Sequence, residues 1–221
     1  MLVQHPAKIF KAQQRGIIST ADYKCFPTFN YLNYRNEHRN PFGSLKYFNE
    51  EQLAPQKSIK YTFEEEESII IIPIIGAIDI EEHKSIKFIH IHQIFSNTYN
   101  AGETLILTNP YEKEWINYIQ IRTTKVLPKK ISNFEYENNR LIDILNTESI
   151  RISTGLFQDR IDGEYVLQSK NSNLMVFIIN GAFEFQNRLL ENRDALGIWG
   201  IEEIEFECLV KNGLVLLIET L

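Results

Sequence analysis

The chain has 221 residues, 43% of them hydrophobic, and a formal net charge of −6. That composition supports a buried core without disulfides or metal and excludes wholesale disorder. The acidic balance excludes a protein that grips nucleic acid through its phosphates, since the densest basic cluster is Lys125, Lys129 and Lys130 with Arg122 nearby.

In chain order, the first fifteen residues mix charged and apolar side chains without a continuous apolar core, so no export signal is expected. The two cysteines, Cys25 and Cys208, make neither a disulfide framework nor a Cys-x-x-Cys pair, and two buried thiols in a reducing cytoplasm are expected. Alternation predicts a strand over Thr28–Leu32, and Asn49–Leu53 is the best short helical candidate, one turn at most. The apolar run Ile69–Ile78 is broken by Pro73 and Gly76 and is too short to span a bilayer. Ser85–Phe95 alternates around His90 and His92, and Trp115–Ile121 alternates cleanly. Leu214–Ile218 reads as a buried closing strand, and turns are marked at Asn40-Pro41, Asn100-Ala101-Gly102, Asn109-Pro110, Asp162-Gly163 and Asn212-Gly213. Many short strands separated by turns indicate an all-β sandwich or barrel.

An internal repeat organises these elements. Ile69–Ile80 aligns without gaps against Leu174–Phe185, each an apolar strand, then Gly-Ala (Gly76 and Gly181), then an alternating strand. Two similar barrels in tandem follow, over residues 1–125 and 126–221, with the break in strand pattern running from Lys125 to Tyr136.

Taken in order, several motifs make the chain resemble the pirin family of bicupins. They are Arg15-Gly16, Phe42-Gly43-Ser44-Leu45, and Phe48 through Asn49-Glu50-Glu51 to Ala54-Pro55. Further on come Gln93-Ile94-Phe95-Ser96, Tyr118-Ile119-Gln120-Ile121, Phe157-Gln158-Asp159 and the turns at Gly181 and Asn192–Ala195. The resemblance implies two tandem cupin, jelly-roll-like β-barrels. It also implies an iron-type metal in the first barrel, held by a His-Pro-His motif soon after Ala-Pro-Gly and by the His and Glu of a later His-Ser-Glu motif. Counting from Ala54-Pro55 puts the first motif on Thr62-Phe63-Glu64, and counting from Gln93 puts the second on Glu103-Thr104-Leu105. All the imidazoles are gone, and no histidine lies between Gln93 and the C-terminus.

A hydroxyl, an alkyl chain and two carboxylates do not bind a transition metal as imidazoles do. The expectation is a metal-free, non-catalytic pirin-like protein without a cofactor, binding a small ligand or a protein partner, with neither nucleic acid nor membrane. Thr62, Glu64 and Glu103 are expected to line the former metal pocket, where Leu105 supplies no donor. The alternative is a quercetinase-like, metal-dependent dioxygenase with iron or another divalent metal in a rebuilt site. On a strand, His90 and His92 share a face, with His83 nearby and a carboxylate completing the set. The run Glu64–Glu67 reads as a solvated loop.

Overall fold

The computed structural model describes residues 5–82 and 85–221, which leaves His83 outside the described residues. Two compact units emerge: residues 15–134, and residues 135–221 together with the N-terminal segment through Gln14. Among the described residues no helix is long and apolar enough to cross a membrane.

In the unit of residues 15–134 the strands are β2 (Ile18–Ser19), β3 (Tyr23–Pro27), β4 (Leu45–Leu53), β5 (Ser58–Thr62), β6 (Glu67–Ile75) and β7 (Ile78–Glu82). They continue as β8 (Ser85–Ile89), β9 (Gln93–Tyr99), β10 (Thr104–Thr108), β11 (Ile116–Thr123) and β12 (Lys130–Asn133). These build a seven-stranded sheet, β12-β9-β6-β11-β4-β3-β2, and a four-stranded sheet, β5-β10-β7-β8. Period-2 alternation turns Leu53, Ile69, Ile71, Phe95 and Tyr118 of the large sheet toward the same core as Tyr61, Ile78, Ile80, Leu105 and Leu107 of the small one.

The other unit repeats the plan. Its strands are β1 (Ala7–Phe10), β13 (Arg140–Asn146), β14 (Ile150–Phe157), β15 (Asp162–Val166) and β16 (Asn173–Asn180). After these come β17 (Phe183–Phe185), β18 (Arg188–Leu190), β19 (Ala195–Trp199), β20 (Glu203–Cys208) and β21 (Gly213–Thr220). A six-stranded sheet, β1-β19-β16-β21-β14-β13, joins a four-stranded one, β15-β20-β17-β18, around Leu174, Val176, Ile178, Phe183, Phe206 and Leu217. The architecture is the all-β, two-barrel plan expected from the sequence.

The repeat also explains where the division falls. The strand that leads each repeat closes the edge of the other repeat's large sheet, with Phe10 opposite Ala195 and Asn133 opposite Gln93. β12 therefore stays with the first barrel and β1 goes to the second, which differs from a cut at 125/126. Other local expectations change for tertiary reasons. Asn49–Leu53 is no helical turn but the end of β4, held between β3 and β11. Thr28–Leu32 leaves β3 as an irregular segment that buries Phe29. Ser85–Phe95 is two strands with a turn between them.

The aligned glycines have positive φ, +80° at Gly76 and +94° at Gly181, where a side chain is strained. A Cβ on Gly181 would also lie 2.5 Å from Val210 Cγ2 and 3.2 Å from the Gly213 Cα. Gly181→Ala is expected to destabilise by about 2–4 kcal/mol. Gly102→Ala, at φ +86° with nothing within 4 Å, bears the backbone strain alone and is expected to cost about 1–2 kcal/mol. Urea unfolding of both variants checks this; equal costs would mean the contact at Gly181 contributes nothing.

Candidate functional site

Where β4 and β11 meet, the inner face of the first barrel is polar, against an otherwise apolar core. β4 and β11 run antiparallel, so Tyr118 faces Glu51, Gln120 faces Asn49 and Arg122 faces Tyr47. Because Leu53 and Tyr118 point into the core, strand parity sends the whole ladder inward.

Glu51 stands at the centre and is fully buried. Its carboxylate accepts hydrogen bonds from the Tyr61 hydroxyl, from the Tyr118 hydroxyl at 2.9 Å and from Asn49 Nδ2 at 3.2 Å. The Cys25 thiol lies 3.9 Å away. Burial pushes the Glu51 carboxyl above its ordinary value despite these bonds, and burial next to Glu51 pushes the Tyr61 and Tyr118 phenols and the Cys25 thiol up as well.

Two rungs further along the ladder, a cation is built into the barrel. Arg122 Nη1 donates to Glu67 Oε1 at 2.8 Å, and both side chains are nearly fully buried. The guanidinium lies 4.6 Å from the Phe63 ring centre and 5.3 Å from that of Tyr61. Phe63 in turn stacks on Tyr99 at 4.2 Å with the ring planes 11° apart. Glu67 is thus not part of a solvated loop as expected for the acidic run; only Glu64, Glu65 and Glu66 are exposed.

The two family ligand stretches do come together. Thr62 pairs with Thr104 and Tyr61 with Leu105 across β5 and β10, and the Phe63 N–H donates to the Glu103 carbonyl at 3.1 Å. Strand parity, however, selects different side chains from those expected. Tyr61, Phe63 and Leu105 face the core, while Thr62 and Glu64 point outward and are exposed. Glu103 caps the preceding turn, its Oε2 accepting from the Asn100 N–H at 2.6 Å. Thr62 and Glu64 consequently do not line the interior, and Glu103 is half-buried at its rim, engaged by the turn. Of the residues that do, Asn49, Glu51 and Gln120 lie inside stretches that carried the resemblance and were read there only as family markers, and Arg122 only as a neighbour of the lysine cluster. A signal was present: Gln120 and Arg122 share the inward parity of Tyr118 on a strand buried on both faces.

His90 and His92 fall in the turn between β8 and β9 rather than on a strand. Both are exposed, and His92 has a positive φ of 66°. His90 Nδ1 lies 2.6 Å from the Ile91 carbonyl and the His92 ring 5.9 Å from that of Phe134. The shared strand face on which the pair was predicted does not exist.

An iron-type or nickel ion needs several deprotonated or imidazole donors converging on one point. Among the described residues no three His, Cys, Asp or Glu side chains do so. The interior offers the Glu51 carboxyl, driven toward its protonated form, phenols and a thiol driven the same way, and the Glu67 carboxylate already taken by the Arg122 guanidinium. This donor set does not fit such a metal.

The Glu51 environment fixes a pH dependence. An acid whose folded value is raised costs nothing below its ordinary value of 4.5, where folded and unfolded chains are both protonated. Above that, the unfolded chain gives up the proton more readily, so stability falls as pH rises toward the folded value. Glu51→Gln keeps the shape without the proton. Its stability relative to the unaltered chain is expected to rise by on the order of 1 kcal/mol between about pH 4.5 and about pH 8. Urea midpoints at the two pH values check it, and a gap that does not change with pH contradicts it.

The comparisons agree with this architecture. Residues 147–220 match the family model described as the quercetinase C-terminal cupin domain. No curated relative matches the sequence significantly. Among solved structures, the bacterial pirin YhhW from Escherichia coli, described in complex with nickel(II), superposes with a TM-score of 0.84 at 14% identity, covering 97% of this chain and 99% of that one. YhaK from Escherichia coli gives 0.70 at 14% identity over 95% and 94% of the two chains. A quercetin 2,3-dioxygenase from Acinetobacter baumannii gives 0.72 at 10% identity over 96% and 85%. At these identities the likeness is one of fold.

Proposed function

We propose that this chain, a pirin-like bicupin, works as a metal-free, non-catalytic binding protein, with a small molecule or a protein as its partner and no cofactor. One observation carries the reading: inside the first barrel the Arg122 guanidinium, set against Phe63 and Tyr61, already occupies the buried Glu67 carboxylate. A metal ion could use that carboxylate only by displacing the guanidinium or by sitting beside it against Coulomb repulsion. The acid on the ladder itself, Glu51, is driven toward its neutral form by burial. Nucleic acid and membrane are not partners in this reading, and the two buried free thiols suit a reducing cytoplasm.

The dioxygenase reading draws on the named relatives and needs a rebuilt metal site. The exposed turn positions of His90 and His92 give it no support. Metal content of untagged protein, measured together with quercetin consumption after incubation with iron, manganese, nickel or copper, tests the proposal. Metal well below stoichiometric and no turnover are expected. Near-stoichiometric metal with turnover overturns the metal-free, non-catalytic account.

A further inference from the structure

At the middle rung of the inward ladder, Asn49 and Gln120 stand directly opposite each other, both fully buried. Gln120 finds no hydrogen-bond partner for either its Nε2 or its Oε1, and Asn49 finds none for its Oδ1. Flipping the Gln120 amide does not help, because both ends are orphaned. Asn49 is fixed by its Nδ2, which donates to Glu51, so its oxygen has to point away from that bond. On the neighbouring rung, Arg122 Nε is orphaned as well. Each buried polar atom left unpaired costs about 1–3 kcal/mol. Several of them on adjacent rungs are a concentrated cost that an occupant offering complementary groups would remove.

We infer that Asn49 and Gln120 form a binding site for a small uncharged molecule carrying a hydrogen-bond donor and acceptor side by side, as in a carboxamide. The Gln120 side chain presents a donor and an acceptor on one planar edge, which an amide edge meets with two parallel hydrogen bonds. The Asn49 oxygen accepts from a further N–H. The charge of Arg122 is already met by Glu67, so nothing at this rung favours an anion. Burial of both side chains limits the guest to a few heavy atoms. This inference rests on the metal-free reading of the same barrel.

Acetamide titrated into isotope-labelled protein that has been verified free of metal is the test. The side-chain NH2 signals of Asn49 and Gln120 are expected to shift saturably together. In Gln120→Leu the saturation of the Asn49 signal is expected to weaken at least about tenfold. Gln120→Met serves the same purpose should the leucine variant fail to fold. Signals that ignore acetamide overturn the inference, and an interior satisfied by buried water alone gives that result. Saturation undiminished in both variants overturns it too. A tightly held metal, by contrast, is detected by elemental analysis and defeats the functional reading independently of the titration.

Discussion

Arg122→Ala is expected to destabilise the protein by about 3–5 kcal/mol, because it strips the partner from a carboxylate that stays buried. Glu67 is 3% exposed and receives its hydrogen bond from Arg122 at 2.8 Å. The other cation in reach, Lys46 Nζ, stands 3.5 Å from the opposite oxygen and is engaged at 2.6 Å by exposed Glu65. It can soften the loss without replacing a buried guanidinium. The alanine also removes the cation from the Phe63 and Tyr61 rings. Removing both charges has the opposite logic: Arg122→Met with Glu67→Leu leaves no orphaned ion and is expected within about 1–2 kcal/mol of the unaltered chain. Denaturant unfolding of the single and double variants measures the coupling. A cost below about 1 kcal/mol for Arg122→Ala would falsify the buried-pair account.

The second large effect is at Phe63. Its side chain has no exposure, is sandwiched between the Tyr99 ring at 4.2 Å and the Arg122 guanidinium at 4.6 Å, and is pinned by its own backbone to the 100–103 turn. Phe63→Ala is expected to cost about 3–5 kcal/mol, the transfer free energy of a phenyl group plus the cavity it leaves. Collapse into that space is opposed by its neighbours. Tyr99 is tied by its hydroxyl to Glu82, whose carboxylate is also held by Lys129 at 2.7 Å and Asn97 at 2.7 Å. Phe63→Leu, which fills most of the volume, is expected to recover more than half of the loss. Thermal and urea unfolding of the two variants decide it, and equal stability of Phe63→Ala and the unaltered chain contradicts the packing described.

Much of the fold was legible because it rests on two local signals. Apolar runs mark β6 and β21 and alternation marks β11, while the aligned Gly76 and Gly181 mark the same left-handed corner in both barrels. The interior was not legible. Asn49–Leu53 contains no β-branched residue and is polar on both faces, so neither composition nor period identifies it as a central strand. Only its pairing with β3 and β11 does so, and that same pairing turns Glu51 inward. The motif count to Thr62 and Glu64 reached the correct stretch but the wrong parity, since one residue of offset exchanges the inside and outside of a strand. His90 and His92 failed for a related reason: equal parity means a shared face only while the chain remains extended, and here it turns.

The central claim is that the first barrel is organised around hydrogen bonds and a built-in guanidinium rather than a metal ion. Anomalous diffraction from crystals of untagged protein, recorded across the iron, nickel, copper and manganese absorption edges, examines that interior most directly. The account predicts no anomalous peak beside Glu51, and light-atom density bridging Asn49 and Gln120. A strong peak within about 2.0–2.3 Å of Glu51 or any neighbouring donor atom contradicts it.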